Sequence, residues 1–320
     1  MGGIPQVDLG DPGDAEAIDR ACRDVGFFTV VGHGVPIEAL DQLDAAARAF
    51  FVRPDEEKAA FAMGRGGKAW RGWFPVGGEL TSGVPDRKEG LYFGAEGAAT
   101  DPRPLHGPNQ FPPGLREPVL RWMEAMTELG QRLLGLLALG LGLDESWFRT
   151  WLTADPVTLF RIFHYPPQPA GADGWGVAEH TDYGLLTILG QDGTGGLEVR
   201  AVDGPWLDVP PDREALVCNL GDMLEKLTGG RYRSTPHRVR NRSGQGRLSF
   251  PFFLDPSWDA TVPPLELGEE AGPAPRRWDD ADPTLFEGTY GEYLTAKVRL
   301  VFPELWSGVG GEGSPTMEPT

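Results

Sequence analysis

The stretch Ala178-Glu179-His180-Thr181-Asp182-Tyr183-Gly184-Leu185-Leu186-Thr187-Ile188-Leu189, AEHTDYGLLTIL, sets an imidazole and a carboxylate two residues apart at the mouth of an apolar run. Side chains at i and i+2 of a strand point to one face, so His180 and Asp182 can converge on a single ion. With 5 His and 47 acidic residues in 320, composition alone supplies about 0.7 His-x-acid pairs by chance. The pair needs company before it means anything.

Its surroundings suggest a fold. From Val157 to Leu254 the chain breaks into short apolar runs separated by turn signals: VTLFRIF, LLTIL, GLEVR, WLDV, ALVCNL, YRSTPHRV and RLSFPFFL. That spacing predicts an antiparallel sandwich or barrel. Upstream, Ala15, Ile18, Cys22 and Val25 recur at helical spacing, with Asp14 as the expected cap and Gly26 as the stop. Phe27–Val31 reads as a short strand and 37–51 as a second amphipathic helix. Residues 64–114 are rich in Gly and Pro and predict short strands and loops, and a long helix follows over 115–141. One further helix is expected over 290–301.

A metal held by His180 and Asp182 requires a third ligand. His33 lies between glycines in VVGHGVP and His106 in the loop PLHGP, and both read as structural. His164, inside LFRIFHYPP, reads as a core histidine or pocket wall. His237 differs, because it follows RYRSTP and opens another strand-like stretch. Two neutral imidazoles and one carboxylate on a barrel make the facial triad of non-haem Fe(II) oxygenases, which leaves coordination positions open. Cys22 and Cys218 lie far from these histidines in sequence and lend nothing to a closed four-ligand zinc site. A zinc hydrolase with a bound water as nucleophile stays as an alternative.

A 2-oxo acid chelating the open positions needs a fixed cation for its far carboxylate, and the planar fork of Arg suits this better than Lys. Arg247-Leu248-Ser249 is the only Arg-x-Ser in the chain and puts both side chains on one strand face. The zinc alternative gives this pair no role.

Composition narrows the partners. Lys and Arg total 29 against 47 Asp and Glu, a net charge of -18 with a pI near 4.7. This argues against nucleic acid or an anionic membrane surface and leaves a small-molecule substrate as the expected partner. Two cysteines are too few for a disulfide framework and fit a reducing, cytoplasmic compartment. The N-terminus shows no secretory signal, and the apolar stretch Leu133 to Leu143 is about half a membrane span, so it reads as a buried helix. Length favours one large domain over 1–306. We divide it into an N-terminal mixed α/β shell (1–110), a long helix (111–150), a strand-rich core (155–255) and a C-terminal segment with a helix (256–306), followed by a disordered tail (307–320).

Taken in order, VDL, ACRDVGFFTVVGHGVP, HYPP, AEHTDYGLLTIL, GGLEV, WLDVPP, NLGD, RYRSTPHRV and RLSFPFFLDP resemble the isopenicillin N synthase-like family of Fe(II)- and 2-oxoglutarate-dependent oxygenases over most of the chain. The resemblance implies a mainly β fold with flanking helices, the double-stranded β-helix or jelly roll, and Fe(II), 2-oxoglutarate and O2 as reactants. It implies that His180, Asp182 and His237 bind iron, that Arg247 and Ser249 hold the distal carboxylate of 2-oxoglutarate, and that Tyr165 adds a hydroxyl there. Phe163 stands where many relatives carry Asn, so a polar contact near the co-substrate is missing or comes from His164. Arg161, Phe253 and Asp255 match positions that face the substrate in some relatives, and Trp73 and Phe74 lie in a region that often covers the pocket.

The implied reaction is oxidation of an unactivated C–H bond of a small molecule. Hydroxylation is the simplest outcome, with desaturation, epoxidation or cyclisation beside it, in specialised metabolism such as antibiotic biosynthesis. Two alternatives remain at this point: an Fe(II) oxidase of the same family that uses O2 without 2-oxoglutarate, and a non-enzymatic binding protein that kept the barrel.

Overall fold

A computed structural model describes residues 3–168, 174–200, 204–267 and 282–303. The tail assigned to 307–320 lies outside these residues. The N-terminal part contains strands β1 (Gln6–Asp8) and β2 (Phe27–Val31), helices α1 (Asp14–Asp24), α2 (Ile37–Phe51) and α3 (Asp55–Lys58), and strands β3 (Gly72–Phe74), β4 (Leu80–Thr81), β5 (Val84–Pro85) and β6 (Glu89–Gly94). Helices α4 (Arg116–Gly140) and α5 (Trp147–Trp151) lead to strands β7 (Pro156–Tyr165), β8 (Val177–His180), β9 (Leu186–Gln191), β10 (Leu197–Arg200), β11 (Trp206–Asp208) and β12 (Leu216–Leu220). The short helix α6 (Asp222–Leu227), strands β13 (His237–Val239) and β14 (Arg247–Ser257), and helix α7 (Tyr290–Val301) complete the described strands and α-helices.

The large sheet runs in the order β1-β2-β12-β9-β14-β7-β6-β3, and the small one in the order β11-β10-β13-β8. Their inner faces line one cavity, the arrangement of a double-stranded β-helix. Strand β14 shows why. Arg247, Ser249, Pro251, Phe253 and Asp255 alternate onto the cavity, while Leu248, Phe250, Phe252 and Leu254 form the other face, and the strand is buried from Arg247 to Pro256. The second face packs under α4: a Cβ on Gly130 would lie 2.8 Å from Leu254 Cδ2, so that glycine lets the helix settle onto the sheet. The helix itself turns Trp122, Met126, Leu133, Leu134 and Leu137 inward, a stripe that its apolar spacing predicts.

Two features depart from the sequence reading. Helix α1 starts at Asp14 instead of being capped by it. Gly13, at φ 94°, precedes it, and the Asp14 carboxylate accepts from the adjacent Ala15 N–H. The N-terminal strands also do more than enclose the core, because β2 pairs with β12 and β6 pairs with β7, extending the sheet that carries the site. Among the described residues no helix is long and apolar enough to cross a membrane.

Candidate active site

His180 ends β8 and His237 begins β13, and the antiparallel register sets the two directly opposite each other. Their ring centroids are 4.2 Å apart. Asp182 lies two residues past His180 in a turn whose backbone is tied to the start of α6, with Asp222 N–H donating to Asp182 O at 2.8 Å and Met223 N–H to Gly184 O at 3.1 Å. NLGD is therefore the brace of the HTDYGL turn. The potential ligand atoms of His180, Asp182 and His237 all fall within 4.8 Å of one another.

The remaining polar atoms of the trio are committed elsewhere. His180 Nδ1 lies 2.8 Å from Ala178 O, and His237 Nδ1 lies 3.1 Å from Thr235 O. A carbonyl only accepts, so each Nδ1 carries a proton, and in the neutral imidazole each Nε2 is then the nitrogen with a lone pair for a metal. Burial and the adjacent His237 pull His180 down to about 3, which keeps it neutral. Asp182 Oδ2 accepts from Thr187 Oγ1 at 2.5 Å and Asn219 Nδ2 at 2.6 Å, while Oδ1 stands 3.8 Å from His237 Nε2. Despite burial, the two imidazoles and these two donors hold the Asp182 carboxyl below its ordinary range. A buried carboxylate and two unprotonated Nε2 atoms meeting at one point fit a divalent cation that takes N and O donors.

The N-terminal segment holds His237 in place. The Phe27 ring meets the His237 ring edge-on at 5.2 Å, and Thr235 Oγ1 donates to Val25 O. Gly26, at φ 71°, permits this approach, since a Cβ there would lie 2.3 Å from Arg233 O. The sequence ACRDVGFF thus fixes the strand that delivers a ligand from across the fold.

Four residues expected from the sequence, Phe163, Tyr165, Arg247 and Ser249, line the same cavity as the trio. Arg247 pairs with Tyr165 across β14 and β7, its guanidinium lies 4.6 Å from the Tyr165 ring centroid, and its Nε donates to Gly195 O at 2.7 Å. Ser249 Oγ is 3.4 Å from Tyr165 Oη. Arg247 is 1% exposed, and its Nη1 is buried with no protein acceptor. A buried guanidinium N–H without an acceptor fits a ligand carboxylate at this place. Phe163 shares the Tyr165 face of β7 and packs on Tyr92, Phe74 and Lys88. His164 does not replace the missing polar contact: it points to the other face, bonds Glu89 Oε1 at 2.8 Å through Nδ1 and stacks on Phe51.

The expected substrate residues divide. Arg161, Phe253 and Asp255 line the cavity of about 500 Å³, but Trp73 and Phe74 do not. The Trp73 indole donates to Glu89 Oε2 at 2.8 Å in a buried network with Lys58, and Phe74 packs behind Tyr92, Phe163 and Phe302. Asp255 is pushed up to about 7 by burial, with Tyr290 Oη and Leu185 N–H as its donors. Gly184 makes room for it, because a Cβ there would sit 1.5 Å from Asp255 Oδ1. His33 and His106 bond backbone outside the site: His33 accepts from Val35 N–H and reaches the distant Glu214 O, and His106 bonds Pro104 O.

Sequence reasoning missed Glu79, Lys88 and the face of α7, where Leu294, Lys297 and Val298 close the cavity. It also gave Thr187 and Asn219 no task, although Thr187 alternates onto the Asp182 side of β9 and Asn219 is its cross-strand partner.

Comparison with known proteins agrees with this geometry. Residues 156–256 match the family model of the 2OG-Fe(II) oxygenase superfamily, and residues 4–114 match the N-terminal model of non-haem dioxygenases in morphine synthesis. A probable iron/ascorbate oxidoreductase of Dictyostelium discoideum is 42% identical, with 92% of this chain and 90% of that protein covered. A homoarginine-6-hydroxylase of Arabidopsis thaliana is 34% identical, with 92% and 91% covered. Among solved structures, the rice dioxygenase for auxin oxidation superposes with a TM-score of 0.70 at 31% identity, covering 93% of this chain and 95% of that one. JOX2 in complex with 2OG, Fe and JA does so with a TM-score of 0.71 at 30% identity, covering 83% and 78%. The chain belongs to the 2OG-Fe(II) oxygenase superfamily, in its isopenicillin N synthase-like branch, and is a non-haem dioxygenase that uses Fe(II), 2-oxoglutarate and O2 to oxidise a small molecule.

Proposed function

We propose that His180, Asp182 and His237 hold the Fe(II), that Arg247, Ser249 and Tyr165 hold the distal carboxylate of 2-oxoglutarate, and that the enzyme hydroxylates a small molecule. The observation that carries this reading is the trio itself. Its ligand atoms lie within 4.8 Å while the other polar atom of each side chain is already bonded to protein. Bound there, the metal and its oxo acid supply the O2 activation and the C–H oxidation.

The chain's own part is to orient and exclude. Thr187 and Asn219 fix the Asp182 carboxylate, the Ala178 and Thr235 carbonyls fix the two imidazoles, and the buried Arg247 neutralises the carboxylate of the oxo acid. Helix α7 contributes Leu294, Lys297 and Val298 to the cavity wall. Hydroxylation is favoured by the relatives named as homoarginine-6-hydroxylases. Free, buried Cys22 and Cys218 support a reducing, cytoplasmic setting. The acidic surface charge disfavours a nucleic-acid partner, and we take residues 1–306 to work as one oxygenase domain.

The test is product stoichiometry under Fe(II), 2-oxoglutarate, ascorbate and O2. Succinate formed in step with substrate oxidation, and lost in His180→Ala, is the expected result. Turnover without succinate would replace this reading with the 2-oxoglutarate-independent oxidase.

A further inference from the structure

A second buried guanidinium faces the cavity. Arg161 lies four residues along β7 from Tyr165, on the same face and roughly 13 Å away. Its side chain is 16% exposed and lies between the rings of Tyr92 and Phe253, at 4.5 and 4.6 Å from their centroids. It donates no hydrogen bond among the described residues, and its Nε is buried without an acceptor. Its single ion-pair contact there, Glu79 Oε1, is 3.8 Å away. Glu79 is already engaged by Lys88 Nζ at 2.8 Å and by the Tyr92 hydroxyl. Asp255, on the neighbouring strand, is committed to Tyr290 and Leu185. Tyr183, Asp182 and Tyr290 also interact electrostatically with Arg161, and Tyr92, Glu79, Tyr183 and Asp182 keep it charged despite burial.

A buried guanidinium with its N–H groups unbonded is costly unless a ligand bonds them. The aromatic rings on either side hold the guanidinium plane but accept no in-plane hydrogen bond. The same cavity is lined by the apolar Leu159, Leu294 and Val298, with Thr81, Ser82 and Lys297 as further polar groups of its wall.

We propose that Arg161 binds a carboxylate of the substrate, so that the substrate class is small organic acids with an apolar portion lying against Phe253, Leu294 and Val298. This rests on the oxygenase reading above and names the substrate class of the same cavity. A carboxylate suits the planar fork. A phosphate dianion suits it less, because its second charge would stand close to Glu79.

The test uses the full chain, kept anaerobic and loaded with Fe(II) and saturating 2-oxoglutarate, so that Arg247 is occupied. A panel of small aliphatic, aromatic and amino acids, each beside its primary amide, is screened by thermal shift, and the hits are titrated by calorimetry. The expected result is that acids bind about tenfold or more tighter than their amides, that Arg161→Gln abolishes this preference, and that Arg161→Lys keeps part of it. The proposal is overturned if hits bind as well as amides as they do as acids, if no acid binds, or if Arg161→Gln keeps the preference. Failure of the wild-type protein to bind 2-oxoglutarate with Fe(II) would instead strike the oxygenase reading itself.

Discussion

Replacing Asn219 with Ala should weaken Fe(II) binding although every proposed ligand remains. Asn219 Nδ2 donates to Asp182 Oδ2 at 2.6 Å, and Thr187 Oγ1 donates to the same oxygen at 2.5 Å. A hydrogen bond to a charged group is worth about 1.5–3 kcal/mol, and the neighbouring donor recovers part of the loss. At about 1.4 kcal/mol per tenfold, Kd for Fe(II) should rise roughly 10- to 30-fold in Asn219→Ala. Thr187→Val should act similarly. The double variant should lose more than either, because it leaves a buried carboxylate oxygen with no donor. Backbone pairing of Asn219 with Phe27 and Thr187 does not depend on its side chain, so the sheet should survive. Anaerobic competition against a chromogenic Fe(II) chelator gives Kd, and thermal unfolding of the metal-free protein checks the fold. If both single variants stay within about twofold of wild type, the two donors do not orient a metal ligand and the account of Asp182 is wrong.

Asp255 predicts a pH dependence. Its carboxyl is pushed up to about 7 by burial against an ordinary value of 3.8, so the unfolded chain ionises first. Its contribution to stability is complete below about pH 4 and is lost as pH rises through about 7, on the order of 4 kcal/mol. Asp255→Asn should therefore gain in urea midpoint relative to wild type as pH is raised from 5 to 8, and a constant offset would contradict this. Thr289→Ala removes the capping box in which the Thr289 hydroxyl accepts from Glu292 N–H and the Glu292 carboxylate accepts from Thr289 N–H. Losing about 1 kcal/mol of cap should speed amide exchange in the first turn of α7 roughly fivefold and leave β14 unchanged, as read by hydrogen exchange and mass spectrometry.

The site was legible in the sequence wherever function and strand period coincide. Arg247 with Ser249 follows from two residues sharing one strand face, whereas Asp182 lies past the end of β8 in a turn and Arg161 and Tyr165 rest on the resemblance alone; the apolar runs between turn signals announced the sheets that carry the site. What stayed hidden depends on pairing between distant segments. Nothing in GFFTVV indicates that it lies beside ALVCNL and steadies His237. Glu79 and Lys88 sit in a Gly- and Pro-rich region without period, so their buried pairing, with Glu79 beside Arg161, carried no local signal. Trp73 misled for the same reason: an aromatic residue in such a region can cover a pocket or fill a core, and the Glu89 carboxylate on the paired strand β6 decided for the core. His164 was read as a core histidine or pocket wall, and the alternation of β7 turns it away from the cavity to Glu89.

The central claim is that the His180, Asp182 and His237 trio holds Fe(II) with 2-oxoglutarate anchored on Arg247. The most direct measurement is anaerobic absorption spectroscopy, because a 2-oxo acid chelated to Fe(II) produces a visible charge-transfer band. Wild-type protein should develop the band on addition of both, His237→Ala should not, and Arg247→Gln should need far more 2-oxoglutarate to reach it. A wild-type protein that binds Fe(II) yet shows no band, or a His237→Ala variant that shows it undiminished, would contradict the account.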